Sequence, residues 1–286
     1  MSDFRQLFSG VDFTNNDKKY RTIFECLKTY LIKEVNKFID GQKHDTRGRK
    51  RTVDLNKFFD CLFSIVDNGI KMSYINEYCG ISKSTFYYYF NILKYSGLLE
   101  KIHSEIIASV KNIDYLITDS FTVKSMDGSE GVGRNPTDRG RKGIKVSLLC
   151  DQNLITHGIF LEKANVHDSK ILVLTINSCP SKIKGKRCLA DSGYAGHEYI
   201  RTIKRQTGII LIPKPKRTRN KFLMSHELST QDAELLKHRN RIERLNGNIR
   251  RFRGIMIKYT KSLLSYKTYL LVAIICTTCY SLFKSI

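Results

Sequence analysis

The stretch from Leu235 to Arg253 (Leu-Leu-Lys-His-Arg-Asn-Arg-Ile-Glu-Arg-Leu-Asn-Gly-Asn-Ile-Arg-Arg-Phe-Arg) constrains the chain more than any other. Read at helical spacing, Ile242, Leu245, Ile249 and Phe252 recur at steps of three and four, an apolar face that has to pack on a core. Arg239, Glu243 and Arg250 fall at steps of four and seven and share a second face. A single carboxylate, Glu243, therefore stands among arginines on the rim of the buried stripe. An isolated acid in a basic helix is either a structural ion-pair partner or a metal ligand aimed at a polyanion. The helix alone does not choose, because Glu–Arg pairs at this spacing are ordinary. The remaining ligands of a metal site would have to come from elsewhere in the chain.

The charge of the whole chain narrows the choice. With 49 basic and 27 acidic residues among 286, the formal charge is +22. Such a field concentrates polyanions, nucleic acid foremost and an anionic membrane surface less often. The length suits one large or two smaller domains. Eight cysteines are scattered, mostly within apolar runs, and no secretory signal opens the sequence. That pattern fits reduced, buried thiols in a cytosolic or nuclear protein. Cys276 and Cys279 have two-residue spacing but no second Cys or His pair, so a zinc site is not expected there.

Residues 1 to about 45 carry no readable role, although Tyr20 to Ile39 alternates like an amphipathic helix. Lys43 to Thr52 is a basic connector, either a solvated linker or a segment that tracks phosphates. From Val53 the pattern turns helical, with Leu55, Phe58, Phe59, Leu62, Phe63 and Val66 on one face and Asn68-Gly69 as its end. Ser73 to Tyr78 reads as a short helix, Cys79-Gly80-Ile81 as a tight turn, and Ser82 as the cap of a longer helix stopped by Ser96-Gly97. Short helix, glycine turn and capped helix make a helix-turn-helix layout over about residues 73–96. It would put Lys83, Ser84 and Thr85 where DNA is touched.

Near Asp114 the pattern changes to strands. Tyr115 to Ser120 is an apolar run closed by Asp119, and a glycine-rich, charged loop follows from Ser125 to Gly143. Ile144 to Cys150 and Leu154 to Leu161 read as an antiparallel hairpin beside it. His167 and Asp168 open a helix, with Asp168 expected as its cap. Arg187 to Asp191 is another strand closed by an acid, then comes a helix to about Gln206, a strand Ile209 to Ile212, and a basic loop of about Lys216 to Ser229 leading into the helix described first. The apolar run Tyr269 to Phe283 is shorter than a membrane span and is expected to be a helix buried against the sheet.

Three strands, helix, strand, helix, strand, helix is the order of a ribonuclease-H-like core. The expected fold class is therefore α/β (α+β), with an all-helical DNA-binding region at residues 1–110 and a catalytic domain at 111–286. In that core the acids closing the first and fourth strands lie side by side, and an acid on the last helix can approach both. Magnesium wants hard oxygen ligands and usually keeps only a few carboxylates besides substrate phosphate. Two such ions about 4 Å apart activate a hydroxyl and stabilise the leaving oxygen in displacement at phosphorus.

Four stretches carry a resemblance. They are Ile117-Thr118-Asp119-Ser120; Arg139 to Lys145 running on to Ala164-Asn165-Val166-His167-Asp168-Ser169; Ala190-Asp191-Ser192-Gly193-Tyr194; and Arg239 with Glu243 and the basic positions after them. Over about residues 45–280 the chain resembles Asp-Asp-Glu transposases of bacterial insertion sequences, of the insertion-sequence-four and -five groups. The family pattern in the last helix is Tyr, two residues, Arg, three residues, Glu, six residues, Lys; this chain has Leu236 in place of Tyr and Arg250 in place of Lys.

The resemblance implies that Asp119, Asp191 and Glu243 are the catalytic and metal-binding triad, holding two magnesium ions, or manganese in their place. It implies binding of terminal inverted repeats, cleavage of the element's ends and joining of the 3′-hydroxyls to target DNA. The double-stranded DNA partner would be gripped by Lys83, Ser84, Thr85, Arg139, Arg141, Lys142, Lys145, Arg239 and Arg250. It further implies a homodimer or higher assembly on DNA, no membrane partner, and a place in the bacterial cytoplasm at the nucleoid, or a nuclear or viral setting if the host is not bacterial. Two alternatives stay open: an inactive, domesticated DNA-binding regulator, and a ribonuclease-H-fold nuclease that cuts without joining.

Overall fold

In the computed structural model, residues 8, 18–41, 54–110, 112–126, 130–180, 182–216 and 227–284 are described. The strands set the frame. β1 (Tyr115–Ser125), β3 (Lys142–Asp151) and β4 (Thr156–Lys163) form an antiparallel meander, with the short β2 (Gly133–Arg134) on the edge of β3. β5 (Arg187–Ala190) and β6 (Ile210–Pro213) join on the other side of β1, parallel to it. β7 (Ile257–Lys258) adds two residues along the end of β1. The seven-stranded sheet thus has β1 and β5 as central neighbours, the strand order of a ribonuclease-H-like fold.

Alternation along β1 assigns its two faces. Leu116 packs into a cluster with Leu149, Leu172, Ile176 and Cys188, beneath α6 (Asp168–Asn177) and α7 (His197–Thr207). Ile117, Phe121 and Val123 face the opposite way, into a cluster shared with Ile242, Leu245, Ile249 and Phe252. Asp119 lies in phase with that second set.

The sequence-predicted elements are recovered, and β1 runs five residues past the expected Ser120, because its far half pairs with β3 and β7. The helical region follows the expected punctuation. α1 (Lys19–Asp40) is amphipathic, and α2 (Leu55–Asn68) buries all six residues of its expected face. The Asp54 carboxylate caps α2 by accepting from the Asn56 N–H, and Gly69 ends it at φ 72°. After a 3-10 turn at Met72–Tyr74 come the short α3 (Ile75–Cys79), a turn at Gly80, and α4 (Lys83–Ser96), whose Ser82 cap accepts from the Thr85 N–H. α5 (Leu98–Ala108) leads to the sheet. The basic connector Lys43–Thr52 and most of the loop before the last helices lie outside the described residues, as does Asp127.

One expectation is corrected. The single helix over 235–253 is instead α8 (Thr230–Leu236), a tight turn through residues 237–240, α9 (Arg241–Arg250) and a one-turn α10 (Arg253–Met256). In the turn, backbone bonds run to the third residue back (Arg239 N–H to Leu236 at 3.1 Å, Glu243 N–H to Asn240 at 3.1 Å), so the chain is overwound there. Anchors at both ends impose this: Asp232 accepts from Arg187 of β5 at 2.9 Å, and Arg241 donates to the Tyr115 hydroxyl of β1 at 3.2 Å. The expected burial of the C-terminal apolar helix, α11 (Leu263–Lys284), holds, and its packing is wider than expected. It is long and apolar enough to cross a membrane, but most of it is buried, and it packs against α1, α2, α4 and α5 as well as β4, α9 and α10. It is the shared core of the helical region and the sheet, rather than a cover for the sheet alone. All eight cysteines carry free thiols, and Cys276 and Cys279 are fully buried within α11.

Gly254 in α10 shows how closely the site-bearing helices sit on the helical region. A Cβ there would come within 2.1 Å of the Ile65 carbonyl oxygen and 2.9 Å of the Val66 one, both backbone atoms of α2. Gly254→Ala is expected to destabilise the fold by about 2 kcal/mol, read as a lowered urea midpoint at unchanged slope. An unchanged midpoint would show that α2 and α10 are not in this register.

Candidate active site

The sheet register brings two acids together before any helix is considered. Leu116 pairs with Cys188 and Ile117 with Leu189 across the parallel β1–β5 ladder. Two residues farther along each strand come Asp119 and Asp191, at the carboxyl end of β5, where ligands gather in open sheets. Glu243 arrives from the other side. Ile242, Leu245, Ile249 and Phe252 are all fully buried, as the stripe predicts, and they lay α9 across the sheet with Glu243 in its first turn. A carboxylate is favoured at that end of a helix.

The three acids meet at one side chain. Arg239 Nη2 lies 3.8 Å from Asp119 Oδ1 and 3.7 Å from Asp191 Oδ2, and Nη1 lies 3.5 Å from Glu243 Oε1. The guanidinium is only 16% exposed, whereas Asp191 and Glu243 are 48% and 63% exposed, so the site opens on the acid side. The other Asp119 oxygen accepts from Asn246 Nδ2 at 3.1 Å, which fixes the carboxylate plane. Burial pushes the Asp119 carboxyl above the usual range; Asp191 and Asp168 push the same way, while the Ser120 N–H and Arg239 pull back.

This donor set suits a hard cation. Three carboxylates on three different elements surround one positive charge, with the guanidinium standing where a cation is called for. As they stand, no three His, Cys, Asp or Glu side chains among the described residues lie at metal-ligand spacing, and the space among these three acids is taken by the guanidinium.

The expected DNA contacts divide. Arg139 and Arg141 are exposed on a closed turn in which Asn135 N–H donates to the Arg141 carbonyl oxygen and the Asn135 carbonyl oxygen accepts from Gly140 N–H, and Lys142 is exposed at the start of β3. Arg139 and Gly140 both adopt positive φ, 50° and 70°. Lys83 and Ser84 are exposed and Thr85 half-buried at the start of α4, with the Ser84 and Thr85 hydroxyls bonded to Ser82. Arg250 is exposed and stacks its guanidinium 4.9 Å from the Phe121 ring. Arg239 and Lys145 instead point inward: Lys145 Nζ lies 2.9 Å from Asp168 and 2.7 Å from the Val166 carbonyl oxygen.

Asp168 is a further correction. His167, not Asp168, caps α6, its Nδ1 accepting from the Ser169 N–H at 3.3 Å. Asp168 is thereby free to accept from the Ser120 hydroxyl at 2.5 Å and to pair with Lys145, on the sheet face opposite Asp119. Sequence reasoning missed this bond and the one from Asn246. Asn246 does leave a signal: it stands four residues after Ile242, a polar amide inside an apolar stripe. Asp168 leaves none beyond its neighbourhood to His167.

A family model described as "Transposase DDE domain" matches residues 112–278. No curated protein matches by sequence. Among solved structures, a piggyBac transposase synaptic complex with hairpin DNA superposes with TM-score 0.59 at 10% identity, covering 96% of this chain and 77% of that one. A Mos1 transposase paired-end complex with the left transposon end gives TM-score 0.25 at 10% identity, over 86% and 89% of the two chains, a value below that of a shared fold.

Asp119 also generates a test of the geometry. A carboxyl whose folded-state pKa lies above its unfolded value holds its proton more tightly in the fold, so it favours folding at low pH and opposes it once ionised at neutral pH. Asp119→Asn keeps the shape and is expected to melt higher than the parent at pH 7 without divalent ions. The gain should fade as pH falls into the carboxylate range. A lower melting temperature at pH 7 would mean that the Arg239 pairing outweighs the burial.

Proposed function

This chain belongs to the transposase DDE-domain family, and from that premise we propose that it cuts the ends of a mobile element and joins them to target DNA. The observation that carries the proposal is the convergence of Asp119, Asp191 and Glu243 on a single guanidinium. Those three carboxylates would hold two magnesium ions, with manganese able to replace them. When bound, such a pair eases deprotonation of the attacking oxygen and neutralises charge on the leaving one. Asp119 is the most buried of the three, seated on a central strand with its plane set by Asn246. Asp191 and Glu243 are more exposed and leave an open side for a phosphodiester.

The chemistry proceeds as two displacements at phosphorus. A water attacks the strand at the element's end and releases a 3′-hydroxyl; that hydroxyl then attacks a target phosphodiester. Both are in-line, so one site serves both if the DNA backbone is repositioned between them. Arg139, Arg141, Lys142 and Arg250 supply cations to backbone phosphates around the site, and the net charge of +22 supports such binding. The capped start of α4, with Lys83, Ser84 and Thr85, is the candidate reader of the terminal inverted repeats. Pairing two ends calls for a homodimer or higher assembly on DNA, and a bacterial host would place it at the nucleoid.

Joining separates this reading from a nuclease of the same fold. With pre-cut ends and magnesium, the chain is expected to yield joined strand-transfer product; hydrolysis without joining would assign it to the nuclease class. Cleavage of substrates carrying the element's ends is expected to fall by about a thousandfold in Asp119→Ala, Asp191→Ala and Glu243→Ala. It should persist in Asp127→Ala, whose acid follows β1 by two residues in the sequence. Equal loss in all four, or in none, would remove the triad from the reaction.

A further inference from the structure

We propose that Arg239 is the resident cation of the triad, a positioning residue that keeps the three carboxylates assembled until divalent ions displace it onto a DNA phosphate. The proposal rests on the reading of the triad given above and adds an exchange to it. Its basis is the geometry of one side chain. The contacts to Asp119, Asp191 and Glu243 run from 3.5 to 3.8 Å, longer than the roughly 2.8 Å of a committed guanidinium–carboxylate bond. The guanidinium is thus centred among three acids and bidentate to none. Its Nε is buried without a hydrogen-bond partner, and the one further bond of the guanidinium is a long one, Nη1 to Asn240 Oδ1 at 3.4 Å, so no short bond locks it in place.

The backbone supports the same role. Arg239 sits in the overwound turn between α8 and α9, not on a helix face. That turn is tied to β1 by the Arg241–Tyr115 bond and by His238 stacked on Tyr115 at 5.7 Å. The Cα is therefore held beside the acids while the long side chain keeps other rotamers to adopt.

Charge makes the exchange compulsory. A guanidinium donates but cannot ligate a metal. Its charge also repels any divalent ion entering the same few ångströms. Arginine and metal cannot share the site, so each lowers the other's occupancy. A backbone phosphate offers the displaced guanidinium the forked partner that the crowded triad denies it. DNA and metal binding then assist each other, and by linkage the assistance is reciprocal.

Calorimetric titration of the DNA-free full chain with Mn2+ tests this. Arg239→Gln is expected to bind Mn2+ on the order of tenfold tighter than the parent, while Asp119→Asn loses the binding. Adding non-cleavable duplex should tighten Mn2+ binding by the parent and leave Arg239→Gln unmoved. Equal or weaker binding by Arg239→Gln, with Asp119→Asn still defective, would overturn the exchange and leave the triad standing. Parent-like binding by Asp119→Asn would instead overturn the triad itself. If Arg239→Gln does not fold, Arg239→Lys takes its place. Its single ammonium cannot span three carboxylates, and a gain of about threefold is expected, with no gain contradicting the proposal.

Discussion

Three carboxylates do not share a few ångströms of a folded protein without a cation among them. Burial pushes the Asp119 carboxyl up, and the neighbouring Asp191 adds to the penalty. That electrostatic constraint organises this molecule. It accounts for the inward turn of Arg239, for the amide of Asn246 on Asp119, and for a site left open where Asp191 and Glu243 meet solvent. A chain gathering these acids for no purpose would be carrying a destabilising cluster, and such clusters are characteristic of functional sites.

The rest of the fold holds the cluster in place. Parallel pairing of β1 with β5 fixes two of the acids relative to each other by register alone. The third depends on packing: Ile242, Leu245, Ile249 and Phe252 press α9 on the sheet, and Gly254 lets the following turn close on α2. α11 runs through the middle and bridges the helical region and the sheet, so the candidate DNA reader and the candidate active site are built on one continuous core. A displacement of α2 would therefore be felt at Glu243, through α10 and α9.

Much of this could be read from the residues. The apolar period around Glu243, the acids ending two strands, and the Ser82 cap with glycines after α2 and α3 are local signals, and local chemistry decides them. The misreadings occur where tertiary contacts override local preference. Leu235 to Arg241 contains no glycine or proline, so nothing in the sequence marks the overwound turn; it follows from Arg187 gripping Asp232 and Tyr115 accepting from Arg241. Asp is a commoner cap than His, yet His167 caps α6, because Ser120 and Lys145 engage Asp168 from the sheet. The same blindness applies to Lys145, a cation by composition that only the fold turns toward Asp168, and in part to Arg239, whose spacing offers Glu243 while only the fold adds Asp119 and Asp191.

The most direct measurement is anomalous diffraction from crystals of the full chain soaked in manganese. The account predicts anomalous peaks between Asp119, Asp191 and Glu243, with the Arg239 guanidinium moved off the three carboxylates. Saturating manganese with no peak among those side chains, or with peaks on other residues only, would contradict it.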